Sequence, residues 1–115
     1  RGQLMANLKI SKAQQEEALL QFQQTLLDAG AEVNNALSQW QTARQKTVLD
    51  REQVEHLKDA LRDTELLMEH GTTNYLEVLT ARQSLLVARL SLVADRNAEI
   101  KSVITLYHAL GGGNN

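Results

Sequence analysis

The sequence predicts an all-α fold, a long antiparallel coiled-coil helical hairpin with arms of unequal length. Three observations carry that prediction. The 115 residues contain no proline, so no ring removes a backbone N–H or clashes with the preceding turn. Ala, Leu, Gln, Glu, Arg and Lys dominate, the composition of long helices. Apolar residues recur every seven positions, and one strong turn signal, His70-Gly71-Thr72-Thr73-Asn74, interrupts the middle of the chain.

The first helix is expected from about Gln3 to Glu69. Leu26, Val33, Trp40, Thr47, Val54, Leu61 and Met68 form a heptad stripe. Phe22, Ala29, Ala36, Ala43 and Leu57 flank it, with Asp50 interrupting that row. A seven-residue repeat keeps one seam facing a partner when the helices supercoil left-handedly. Gly30 has no Pro or turn residue beside it. It costs roughly 1 kcal/mol against Ala in a helix and is expected to be a close packing point rather than a kink.

At the break, Gly71 can take the left-handed conformation that ends a helix. Either Thr73 or Asn74 can cap the next helix by accepting from an orphan N–H. That helix is expected from about Asn74 to Leu110, followed by a Gly-rich tail, 111–115. Its seam is read as Leu79, Leu86, Val93, Ile100 and Tyr107, with Leu76, Gln83, Leu90, Asn97 and Ile104 beside it. Val78, Leu85, Leu92 and Leu106 form a further row, read as adjacent to that seam. This is more apolar surface than one partner covers, and it implies neighbours on both flanks, as in a bundle or ring of helices. At 1.5 Å per residue the arms would measure ~100 Å and ~55 Å. Folded back, the second would cover the first only from about Val33 onward. Leu4 to Ala29, which hold Leu8, Ile10, Leu19, Leu20, Phe22, Leu26 and Leu27, would then need another chain or a further part of the same protein, because an isolated amphipathic arm is marginal in water.

Composition also excludes functions. There are 12 basic and 14 acidic residues, a net charge of −2, with the signs interspersed. A nucleic-acid surface would need a basic stripe. No apolar run approaches the ~18 residues of a membrane-spanning helix. The absence of cysteine removes disulfides and thiolate metal sites. Glu52, Glu55, His56 and Asp59 can share a helix face but do not form His-Glu-x-x-His. No nucleophile–base pair, phosphate loop or cofactor motif is present, so neither an enzyme nor a cofactor is expected. Arg1 opens the chain without an initiator Met or signal peptide, and the chain is expected to be a segment of a longer protein.

The run Asn74-Tyr75-Leu76-Glu77-Val78-Leu79-Thr80-Ala81-Arg82-Gln83-Ser84-Leu85-Leu86, then Asn97, and Leu106-Tyr107-His108-Ala109-Leu110-Gly111-Gly112-Gly113 resemble the C-terminal part of the TolC/OprM outer-membrane efflux factors. So do Lys12-Ala13-Gln14-Gln15-Glu16-Glu17-Ala18-Leu19 and the Glu-Val-Asn-Asn-Ala-Leu of residues 32–37. The resemblance covers nearly the whole chain, and the ending is characteristic of the OprM-like branch. It implies a homotrimer whose strands build an outer-membrane β-barrel and whose helices build a trimeric α-barrel across the periplasm. This chain would be the helical part of the second internal repeat, with membrane contact made only by parts outside it. The whole would be the passive exit duct of a tripartite pump, docked by a periplasmic adaptor (membrane fusion protein) and powered by an inner-membrane pump. The alternative is a generic coiled-coil scaffold or interaction module.

The same resemblance implies site residues. His70, Gly71, Thr72, Thr73 and Asn74 match the helical turn that contacts the adaptor, with His70 at a position that is usually apolar; the plain alternative is that they only reverse the chain. Glu77 matches the first of the acidic rings near the pore entrance, where three carboxylates round a narrow axis would favour cations. Equally, it is a helix-start carboxylate stabilised by the macrodipole. The second ring position holds Thr80. Where the TolC type locks its entrance with a Tyr and an Arg, this chain has Met68 and Thr73. Asn97 either fixes register in a seam or faces solvent, and Trp40 is expected in the core.

Overall fold

The computed structural model describes residues 1–112; Gly113, Asn114 and Asn115 of the expected tail lie outside the described residues. Two helices follow one another, α1 (Gly2–Glu69) and α2 (Tyr75–Ala109), with no strand among the described residues. The chain divides into two compact units, Arg1–Asn35 and Ala36–Asn115.

The first unit is helical from Gly2 onward. Every side chain in it is exposed except the half-buried Val33. Leu4, Leu8, Leu20, Phe22 and Leu27 are each at least 59% exposed, so the apolar face expected here has no cover within the unit. The expectation for Gly30 is corrected. A Cβ placed there meets nothing within 4 Å, so Gly30 is not a packing point of this chain, although the helix runs through it unbroken.

The second unit is the hairpin. Its half of α1 buries the stripe read from the sequence as far as Leu61; Met68, the last member of that stripe, is exposed. Ala36, Thr47 and Val54 are buried, and Trp40, Ala43, Asp50, Leu57, Leu61 and Thr64 are half-buried. These positions alternate in steps of four and three, the spacing of a coiled-coil seam. The core is a cluster of Val54, Leu85 and Ala88, with Leu57, Leu61 and Leu92 packed against it. Arg82 reaches across to Glu65 at 3.5 Å, and both are about half exposed, so that pair adds little to stability.

On α2 the sequence reading put the wrong row inside. Val78, Leu85, Ala88 and Ser102 are buried, and Ala81, Leu92, Asp95, Glu99, Leu106 and Ala109 are half-buried. This is one uninterrupted heptad seam, and six of its ten residues are small or polar. Leu79, Leu86, Val93, Ile100 and Tyr107, expected in the seam, are instead 42–66% exposed. Each of these rows lies two positions from its inner counterpart, close to half a turn in a coiled coil. The row of Val78 is therefore opposite the row of Leu76 and Leu90, and a little over a quarter turn from the row of Leu79.

The reason lies in the turn and in how the polar seam residues are satisfied. The turn fixes the rotation of α2, and Val78 is its first residue pressed onto α1, at 2% exposure. Buried hydroxyls then find partners on their own helix. Thr47 Oγ1 donates to the Ala43 carbonyl at 3.1 Å and Ser102 Oγ to the Glu99 carbonyl at 2.6 Å. Satisfied in this way, they cost little to bury, so the less apolar row can form the inner seam.

Candidate functional site: the hairpin tip and the outer face of α2

The tip is built by two complementary terminations. Gly71 has φ 76°, in the left-handed region where a Cβ would be strained. Its N–H donates to the Met68 carbonyl at 3.0 Å, and the Thr72 N–H donates to the Leu67 carbonyl at 2.8 Å. These are the two bonds of a Schellman termination, and they satisfy carbonyls that the helix end would leave orphaned. The Thr72 hydroxyl also donates to the Leu67 carbonyl at 3.1 Å. His70 Nδ1 lies 2.8 Å from the Leu66 carbonyl, which makes it the protonated ring nitrogen in that bond.

Asn74 caps α2. With extended backbone at φ −107°, ψ 168°, its Oδ1 accepts from the Glu77 N–H at 3.1 Å. The Thr73 hydroxyl donates to the Glu77 carboxylate. The two candidate caps thus share the work: Asn74 takes the backbone donor and Thr73 holds the carboxylate of the first turn, where the helix dipole favours negative charge.

The structure therefore brings His70, Gly71, Thr72, Thr73 and Asn74 into one hydrogen-bonded loop. Met68 joins it through its carbonyl and Glu77 through its side chain. All of these are exposed except Thr73, which is half-buried. Around the loop Leu66, Leu67, Tyr75 and Leu76 are 47–69% exposed, an apolar collar behind a rigid polar point.

Beyond the tip, the exposed row of α2 continues from Leu76 through Leu79, Leu86, Leu90, Val93, Ile100 and Ile104 to Tyr107. Gln83 and Asn97 are its only polar members, and Asn97 is exposed. Trp40 is half-buried with Arg44 5.6 Å above its ring, so it lies at the seam's edge rather than deep in a core. Among the described residues no group of three or more His, Asp or Glu is placed to hold a metal ion, and no helix is long and apolar enough to cross a membrane.

One seam feature was only half legible. Asp50 stood out as an interruption of the α1 row, but its counterpart Asp95 did not. It becomes visible only when the α2 seam is numbered from Val78. The Asp50 carboxyl is held above its ordinary value by a side-chain hydrogen bond to Asp95, then by desolvation and the like charge of Asp95, with Lys46 opposing.

The sequence model of the family described as "Outer membrane efflux protein" matches residues 1–112. The cation efflux system protein CusC of Escherichia coli K12 is 33% identical over 112 residues, 97% of this chain and 24% of that protein. The probable efflux pump outer membrane protein TtgC of Pseudomonas putida KT2440 is 31% identical over 97% of this chain and 23% of its own length. The pyoverdine export outer membrane protein OpmQ of the same organism is 30% identical over 98% of this chain and 24% of its own length. The chain thus spans about a quarter of the length of the curated relatives it matches. No solved structure gives a significant match.

Proposed function

Because this chain belongs to the outer membrane efflux protein family, we propose that it is a helical hairpin in the periplasmic wall of a homotrimeric Gram-negative outer-membrane channel, the passive exit duct of a tripartite pump. The observation that carries this reading is the two-sided α2. One heptad row closes the hairpin, and the opposite row, with eight large apolar side chains from Leu76 to Tyr107, is exposed. A hairpin that functioned alone would leave that second row as a contiguous apolar patch of the kind that marks an interface. A helix in a closed ring of helices has neighbours on both flanks and needs both rows. The uncovered apolar residues of the first unit fit the same setting.

The tip is proposed as the docking point for a periplasmic adaptor, through His70, Gly71, Thr72, Thr73 and Asn74. Their inward hydrogen bonds make the loop a rigid shape, and binding a preorganised loop costs less ordering entropy. Met68 and Glu77 are proposed at the pore entrance. Three symmetry-related Glu77 carboxylates around an axis would favour cations there. The chain performs no chemical step in this reading; energy comes from an inner-membrane pump that the adaptor links to the duct.

The named cargoes of the relatives differ in chemistry, a cation for CusC and pyoverdine for OpmQ, so this shared segment carries no reading of what is exported. Crosslinking from Thr72→Cys in the full-length protein tests the docking. The expected result is a covalent adduct with the adaptor that is absent for Arg44→Cys, far from the tip. Equal labelling at both positions, or none at Thr72→Cys, would contradict it.

A further inference from the structure

Asp50 and Asp95 occupy inner seam positions on α1 and α2, where the neighbouring steps are Thr47 and Val54 on one side and Leu92 and Glu99 on the other. The Asp50 Oδ2 atom is buried without a hydrogen-bond partner. This contrasts with Thr47 and Ser102, whose hydroxyls are satisfied on their own helices. None of the ion pairs among the described residues includes either carboxylate. The charged groups acting on Asp50 are Asp95 from α2 and Lys46 from the preceding turn of α1. Glu99 lies one turn further along the α2 seam and adds a second negative charge to that side.

Two ionised carboxylates facing each other with one sheltered, unpartnered oxygen repel. Remove one charge by protonation and the same pair becomes a donor and an acceptor. We propose that Asp50 and Asp95 form a proton-operated latch across the hairpin seam, closed when they share one proton and loosened when both are ionised. The latch sits at a boundary in the seam. On the tip side the helices are held by Val54, Leu57, Leu61, Leu85, Ala88 and Leu92. On the other side small and polar residues, Ala36, Ala43, Thr47, Glu99, Ser102 and Ala109, outnumber the large ones, Trp40 and Leu106. Ionisation therefore loosens the seam from the latch away from the tip, while the tip half stays closed. This inference does not depend on the channel reading, and it stands or fails on the hairpin alone.

The direction of the pH dependence follows. A carboxyl held above its ordinary value binds its proton more tightly in the folded hairpin than in the unfolded chain. The stabilisation is complete below the ordinary value of 3.8 and is lost as pH rises through the raised value. Thermal melting of the 115-residue chain from pH 4 to pH 8 is the test, with wild type compared with Asp50→Asn and Asp95→Asn. Both variants are expected to melt above wild type at pH 8, with the gap closing toward pH 4. Asp59→Asn, which removes an exposed acid next to Arg62, is expected to show no such pH-dependent gap. Parallel melting curves, or variants that melt below wild type at pH 8, would overturn the latch. Carbon NMR titration of the wild-type carboxyls needs no variant: Asp50 should titrate above the ordinary value of 3.8. If Asp50 titrates at or below that value, the proposal fails.

Discussion

Gly71 and Asn74 fix the tip, and each does so through one physical property that no common substitute shares. Gly71 holds φ 76° with open space around its Cα. Gly71→Ala therefore meets backbone strain and no clash, and is expected to lower stability by about 1 kcal/mol. Asn74→Ala removes the acceptor for the Glu77 N–H and is expected to cost about 1 kcal/mol; Asn74→Ser, which restores an acceptor, should recover most of it. Both are read from thermal or urea unfolding of the chain. Gly30 is expected to behave oppositely. It lies in open space within a helix, so Gly30→Ala should stabilise the isolated chain by up to about 1 kcal/mol. The two tip residues were legible in the sequence because turn chemistry is local. The setting of Gly30 was not, because what packs against a helix position is decided by residues distant in sequence.

At the scale of the element, α2 presents two opposed faces that composition ranks in the wrong order. Leu85 and Leu86 are adjacent in sequence, yet Leu85 is 6% exposed and Leu86 57%. Leu85→Ala is expected to cost about 2–3 kcal/mol, the usual cost of emptying a packed site. Leu86→Ala should stay within about 0.5 kcal/mol in the isolated chain. Urea unfolding of the two variants settles which row faces α1. The α1 stripe was legible because it is the only sustained apolar row in its half of the hairpin. On α2 two rows compete, and periodicity alone cannot say which one the turn rotates inward. The outer row is greasier, so a ranking by apolar content favours it. The inner row carries Ala81, Ala88, Asp95, Glu99, Ser102 and Ala109; the alanines are small enough for close approach, and Ser102 bonds to its own helix. Asp95 was missed for the same reason: a seam position is recognisable only once the correct row is known.

For the whole molecule, exposed apolar surface is the dominant fact. The hairpin unit buries one row of α2 and leaves the other open, and the first unit covers almost none of its Leu, Ile and Phe side chains. A protein that kept those surfaces in water would aggregate or self-associate, so the isolated chain is expected to show concentration-dependent sedimentation. In the proposed channel wall, neighbouring helices would cover these surfaces; the curated relatives are about four times the length of this chain. In that wall the outer row of α2 would be a lateral contact, separate from the contacts that fold the hairpin. It is tested most directly by the oligomeric state of the full-length protein carrying Leu86→Gln with Val93→Gln. The assembled trimer is expected to be lost while the 115-residue chain with the same changes melts within a few degrees of wild type. Trimers that form in wild-type yield with both glutamines in place would contradict it.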